Sequence, residues 1–129
     1  MIVDSSAAIA VLFGEPEALS FAELMSTSRC RMSTANWVET AMRMEGALGL
    51  KGGGELDALV AELDIELEPV TEAHARAARI AFRRYGRGSG SPARLNFGDC
   101  FAYALSATSG EPLLFKGDDF THTDVLRAG

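Results

Sequence analysis

Nowhere in this chain do roughly 18 apolar residues follow one another, the length a helix needs to cross a bilayer, so no membrane-spanning helix is expected. Cysteine is scarce. Cys30 and Cys100 are the only two, each among apolar neighbours and neither in a metal-type spacing, which reads as two buried free thiols. The two histidines, His74 and His122, lie far apart, which excludes a zinc centre built on paired His and Cys ligands. An excess of basic charge is also missing. Twelve Lys and Arg stand against 18 Asp and Glu, a net charge of −6. A protein that coats nucleic acid through its bulk charge would be basic, so that class is excluded. An enzyme that gathers carboxylates around a cation is not. Gly52-Gly53-Gly54 lacks the lysine and hydroxyl residue of a phosphate-binding loop and reads as a turn. No nucleophile elbow surrounds any serine, and Asp4-Ser5-Ser6 lacks the second aspartate of an aspartyl-phosphate phosphatase. The start, Met1-Ile2-Val3-Asp4, has no basic segment and reaches an acid at once, so no signal peptide and a cytoplasmic location are expected.

What is present is the balance of an ordinary folded protein: 129 residues, 47% hydrophobic and 23% charged, enough for one domain over 1–129 with its own core. Met1 to Val3 reads as a buried strand ending at Asp4, followed by a helix over Ala7 to Phe13 that Gly14 ends. Glu15-Pro16-Glu17 starts a second helix. Arg29 to Met32 is a weak strand, and Ser33-Thr34 opens a long helix to about Leu48. Leu56, Leu59, Val60 and Leu63 repeat at helical spacing. Ile65 to Val70 alternates and reads as a strand. Thr71 opens an alanine-rich helix to about Tyr85, with a stripe of Ala73, Ala77, Ile80 and Ala81. A flexible loop over Gly86 to Pro92, a helix over Phe97 to Thr108 and a short strand Leu113-Leu114-Phe115 complete the order. Short apolar strands alternating with helices predict an α/β fold, a parallel sheet wrapped by helices.

In such folds sites form beyond the carboxyl ends of the strands. Asp4 and Asp118 stand just after the first and last strands. Asp99 begins the helix before the last strand, between Phe97 and Phe101. Glu39 lies near the start of its helix, at helical spacing from Ala35 and Met42. Each acid has an alternative use: Asp4 and Asp99 as helix caps, Glu39 in a capping box with Asn36 or paired with Arg43, Asp118 as a turn residue. Together they form a set of carboxylates on apolar elements that one sheet edge would gather. Clustered carboxylates repel, and a hard divalent cation such as magnesium or manganese, which prefers oxygen ligands, relieves the repulsion. From Arg76 to Arg94 there are six arginines and no acid, half of all the basic residues. That segment is either a solvated face or a local phosphate-binding patch on an acidic molecule.

Four segments resemble, in order, the signature segments of PIN domains: Val3-Asp4-Ser5-Ser6-Ala7, Trp37-Val38-Glu39-Thr40-Ala41, Leu95 to Ala104 and Leu113 to Phe120. More narrowly they look like the VapC toxins of bacterial toxin–antitoxin pairs, and the resemblance spans essentially the whole chain. It implies a three-layer α/β/α fold around a parallel sheet of four or five strands. It implies a magnesium-dependent endoribonuclease, with manganese able to substitute, in which activated water attacks an RNA phosphodiester and leaves a 5′-phosphate. Carried onto this sequence, the metal ligands would be Asp4, Glu39, Asp99 and Asp118. Ser6 matches a small hydroxyl position that holds a ligand or a water. Asp119 is the alternative or additional fourth acid, and Asp118 is preferred because it stands two residues before Phe120. Arg83, Arg84, Arg87, Arg94 and Lys116 are candidates for contacts to the RNA backbone. The implied partners are an RNA of the tRNA or rRNA class, a VapB-type antitoxin covering the acidic groove and a second copy in a homodimer. Two other classes compete: a non-catalytic PIN-like module that binds RNA or protein, and a metal-dependent phosphatase acting on small esters.

Overall fold

The structure is a computed structural model that describes residues 1–129. Four short strands make one sheet in the order β3-β2-β1-β4: β1 Ile2–Val3, β2 Arg31–Ser33, β3 Glu66–Glu68 and β4 Leu113–Leu114. All three pairings are parallel, with Ile2 opposite Leu113 and Val3 opposite Leu114. Six α-helices surround the sheet: α1 Ser5–Leu12, α2 Ala18–Ser26, α3 Thr34–Leu48, α4 Leu50–Glu62, α5 Glu72–Tyr85 and α6 Phe97–Ser109. The expected four or five strands resolve to four, and the α/β/α layering is as the sequence implies.

Successive strand residues point to opposite faces, and the layers follow from that alternation. Ile2 and Leu113 join one core with Ala81 of α5 and Ala102 and Leu105 of α6. Val3, Met32 and Leu114 join the other, with Ala7 of α1, Met25 of α2 and Leu59 of α4. Both cysteines are buried and free, Cys30 in one core and Cys100 in the other. Near the amino ends of β1 and β2 several charges pair. The Met1 ammonium meets Glu111 at 2.9 Å, and Arg31 bridges Glu111 and Glu68. No helix is long and apolar enough to cross a membrane.

Two local expectations are corrected. Gly52, Gly53 and Gly54 lie within α4, so they are not the turn. Gly49 alone makes it, with φ +67°, a left-handed conformation that favours glycine. Gly52 is needed for a different reason: a Cβ there would lie 2.2 Å from the Met44 carbonyl oxygen, so its bare backbone lets α4 pass close to α3. On α5 the inward line is Ala78 and Ala81, whereas Ile80 is 49% exposed. In an alanine-rich helix the single large residue biased the reading of the stripe, while small residues let α5 pack closely on α6.

The two glycines of α4 make contrasting predictions. Gly52→Ala must push α3 and α4 apart and should cost about 1–3 kcal/mol. Gly54→Ala meets nothing within 4 Å, removes an entropic penalty and should stabilise by about 0.5–1 kcal/mol. Urea unfolding of both variants checks this; equal effects would refute the close approach.

Candidate active site

Asp4 follows the central strand at its carboxyl end. Its backbone NH donates to the Leu114 carbonyl at 3.0 Å, which locks it to β4. It is also the N-cap of α1: its Oδ2 accepts from the Ser6 NH at 3.0 Å and from the Ser6 hydroxyl at 2.5 Å. The Ser6 hydroxyl oxygen in turn accepts from the Lys116 NH at 3.0 Å, tying this end of β1 to the exit of β4. The capping alternative for Asp4 is therefore real, and it uses only one oxygen. Oδ1 is buried with no hydrogen-bond partner. Burial, opposed by the Ser6 hydroxyl and reinforced by the charges of Asp99 and Glu39, raises the Asp4 pKa to about 7.

Glu39 projects from α3 towards the same place. Its Oε1 accepts from the Ser5 hydroxyl at 2.5 Å and from the Asn36 amide at 3.4 Å. The Asn36 amide also donates to the Gly98 carbonyl at 2.9 Å, linking α3 to the start of α6. Glu39 makes no ion pair with Arg43 and does not share a buried stripe with Met42, which is exposed. The buried line of α3 is Asn36, Thr40 and Met44, and Glu39 lies beside it, half-buried. Gly98 packs against the Glu39 carboxylate so closely that a Cβ would sit 2.0 Å from Oε2.

Asp99 occupies the third turn position of α6 in a reciprocal capping box. Its Oδ2 accepts from the Asn96 NH at 3.0 Å, and the Asn96 side chain accepts from the Asp99 NH at 2.9 Å. Its pKa is raised, chiefly by burial, with the charges of Asp119 and Glu39 adding and that of Arg87 opposing. Asp119, then, is the acid of the adjacent pair whose charge bears on Asp99. Asp118 is exposed at the start of a 3₁₀ turn, Asp119–His122, where its carbonyl accepts from Thr121. Phe120 anchors that turn in the core against Phe115.

Asp4, Glu39 and Asp99, from three separated stretches of chain, are thus near enough for their charges to act on one another. As they stand, no three His, Cys, Asp or Glu side chains form a group able to hold an ion. Glu39 is held by Ser5 and Asn36, and Asp99 is turned onto its own cap. The donor set nevertheless fits a hard cation. It is all oxygen, its charges repel, and the buried Oδ1 of Asp4 has no other partner. Ser5 and Gly98 are site residues that sequence reasoning missed, and Asn36, expected there only as a cap, lies inside α3 and donates to Glu39 instead. Each stands one to three residues from a predicted acid, a spacing that alone could have flagged them.

The basic candidates separate. Lys116 is committed to Glu15 at 3.0 Å and Glu17 at 3.4 Å. Arg84 lies over the Tyr85 ring and within 3.9 Å of Asp124. Arg83 and Arg87 line a groove between α5 and α6, together with Arg79, which the sequence reading did not single out. Arg94 is exposed, with φ +53°.

A PIN-domain family model matches residues 1–126. The chain belongs to the PIN-domain family. Ribonuclease VapC28 of Mycobacterium tuberculosis is 46% identical over 129 residues, covering 99% of this chain and 97% of the relative. Ribonuclease VapC42 of the same species is 47% identical, covering 99% and 98%. Among solved structures, Mycobacterium tuberculosis VapC20, described as a Sarcin-Ricin loop cleaving toxin, superposes with a TM-score of 0.79 at 16% identity, over 98% of this chain and 97% of that one. VapBC2 of Rickettsia felis, solved bound to a DNA fragment from its promoter, gives 0.73 at 10% identity, over 98% and 94%. At those identities the likeness to the solved structures establishes the PIN fold, and the close relatives establish kinship with VapC ribonucleases.

Two predictions concern these carboxylates. In EDTA, the folded state keeps a proton on Asp4 that the unfolded chain loses above about pH 4, so stability should fall as pH rises from about 4 to 7. The contribution is on the order of 2–4 kcal/mol. Asp4→Asn should flatten that slope in thermal melts at pH 5 and pH 8; an unchanged slope would refute the buried, proton-holding carboxyl. Separately, Gly98→Ala should leave the protein folded but displace Glu39, cutting divalent-ion affinity at least about tenfold by calorimetry. Wild-type affinity in that variant would show that the close contact is immaterial.

Proposed function

We propose that this chain is a divalent-metal-dependent endoribonuclease, the toxin member of a VapBC-type toxin–antitoxin pair. The observation that carries the reading is the Asp4 carboxylate, buried at the end of the central strand with one oxygen unpartnered and two further carboxylates raising its pKa. Such an arrangement is costly for a structural role and useful for holding a cation. Membership of the PIN family and the names of the close relatives as ribonucleases supply the substrate class.

In this reading Asp4, Glu39 and Asp99 would hold the ion, with Asp119 or Asp118 as the fourth acid. Magnesium or manganese, when bound, would acidify a water and stabilise negative charge on the phosphodiester. The chain's own residues do the positioning. Ser6 holds Oδ2 of Asp4 and leaves the buried Oδ1 free of hydrogen-bond partners. Ser5 and Asn36 orient Glu39, Gly98 leaves room for it, and the Asn96 NH holds Asp99. Arg83 and Arg87 face a groove beside Asp99 and would meet RNA phosphates, and exposed Arg94 remains a further candidate. Lys116 and Arg84 are already engaged by acids or aromatic rings and are weaker candidates. A VapB-type antitoxin as partner, a homodimer and a cytoplasmic location belong to the same proposal, as does an RNA of the tRNA or rRNA class.

Purified protein, free of antitoxin, should cleave structured RNA with Mg²⁺ or Mn²⁺ and stop in EDTA. Asp99→Asn keeps an oxygen for the Asn96 NH but removes a charge, so it should fold and lose at least about 100-fold in cleavage. Its melting temperature should rise in metal-free buffer because repulsion is relieved. A large loss of stability would make Asp99 a structural cap only. Absence of cleavage of any cellular RNA would favour a non-catalytic binding module. Hydrolysis of small phosphate esters unaffected by joint replacement of Arg83, Arg84 and Arg87 would favour a phosphatase.

A further inference from the structure

Lys116 is tied to both ends of α1. Its backbone NH donates to the Ser6 hydroxyl, in the first turn, at 3.0 Å. Its ammonium reaches the corner beyond the last turn, where it meets Glu15 at 3.0 Å and Glu17 at 3.4 Å. Backbone hydrogen bonds fix that corner. The Glu15 NH donates to the Ala10 carbonyl of α1 at 2.9 Å, and the Glu15 carbonyl accepts from the Ala18 NH of α2 at 2.9 Å. Glu17 stands at the start of α2, where its side chain makes no capping bond and is free to reach the lysine.

Lys116 also opens the span that carries Asp118 and Asp119. At the far end of the span Phe120 is buried against Phe115, with ring centroids 5.2 Å apart. Gly117 gives the span little stiffness of its own. The two anchors therefore decide where Asp118 and Asp119 stand, and the charge of Asp119 is felt at Asp99. The side chains of Lys116, Glu15 and Glu17 are each about one-third exposed. Ion pairs that open to solvent add little stability, so holding the fold together does not account for two acids on one lysine. Phosphate binding does not account for it either, because two carboxylates already neutralise that ammonium.

We propose that Glu15 and Glu17 position the fourth acid of the carboxylate site from outside it, by fixing Lys116 along α1. The inference rests on the divalent-metal reading and adds three positioning residues to it. None of the three would touch the ion. Their effect passes through the backbone, from the α1–α2 corner to the ammonium and from Lys116 to Asp118 and Asp119, two and three residues further on. The Lys116 NH closes the circuit at Ser6, whose hydroxyl also holds Oδ2 of Asp4. One contact thus keeps the exit of β4 in step with the buried carboxylate. Residues that orient metal ligands without touching the metal typically govern affinity by about 10–100-fold.

The test titrates the full chain with Mn²⁺ by calorimetry and follows amide hydrogen exchange without metal. Lys116→Gln and the double variant Glu15→Gln/Glu17→Gln should each bind Mn²⁺ about tenfold more weakly, while Lys116→Arg keeps most of the affinity. The shared sign is decisive. Long-range charge alone predicts opposite signs, because removing a cation strengthens Mn²⁺ binding and removing two anions weakens it. The acids lie on a surface corner, so the double variant should fold even if Lys116→Gln does not. Without metal, the Lys116 amide and the Thr121 amide, which donates to the Asp118 carbonyl, should exchange at least about threefold faster in the variants. The Ile2 and Leu113 amides should keep their rates. Opposite signs, or unchanged exchange at Lys116 and Thr121, would overturn the positioning role. So would a lowered melting temperature with Mn²⁺ affinity intact, because the cluster would then only stabilise the fold. A wild-type chain that binds no Mn²⁺ would refute the metal reading, whereas a wild-type chain that binds it alongside variants that bind equally well would refute the positioning role alone.

Discussion

The structure turns on the placement of one carboxylate. Asp4 follows the central strand, where it is buried, and the charges of two more acids, on α3 and α6, bear on it. Burying a charge without a partner costs several kcal/mol in most settings. The chain answers by holding a proton on Asp4 near neutral pH and by spreading hydrogen bonds over one of its two oxygens. Ser5, Ser6, Asn36 and Gly98 all serve that local balance, and each is placed by an element that also builds the core.

The two ends of the sheet are opposites. Near the amino ends of β1 and β2 the terminal ammonium and Arg31 are neutralised by Glu111 and by Glu68 of the neighbouring β3. At the carboxyl ends negative charge accumulates around Asp4 with no cation among the groups that contact it. The pairs near the amino ends are partly buried and link the start of β1 to β2 and to the segment just before β4, so they help fix the strands together. The carboxyl end, where the chain reverses direction across β1, is where open parallel sheets place their chemistry.

The cationic surface is local and adjacent. Three arginines without partners flank an aromatic groove that starts two residues from Asp99. The repelling carboxylates and the attracting groove meet at the start of α6, where Asn96, Phe97, Gly98 and Asp99 each face a different task. That short segment caps a helix, exposes a ring, admits Glu39 and supplies an acid.

Much of this was legible in the sequence. Alternating short strands and helices determine the layered parallel fold, because apolar faces at periods of two and of about 3.6 leave few ways to be buried. The order of Asp4, Glu39 and Asp99 on such elements determined the acids worth examining. What the sequence could not decide depends on distance between segments far apart in the chain. Only the packed structure shows that Gly52 is a helix crossing rather than a turn, that Gly98 packs against the Glu39 carboxylate, and that the charge of Asp119 bears on Asp99. It alone separates Arg83 and Arg87 from the engaged Lys116 and Arg84. The physical reason is common to all: periodicity reports which way a side chain points along its own element, whereas clash, charge coupling and pairing are set by whatever a different element brings opposite it.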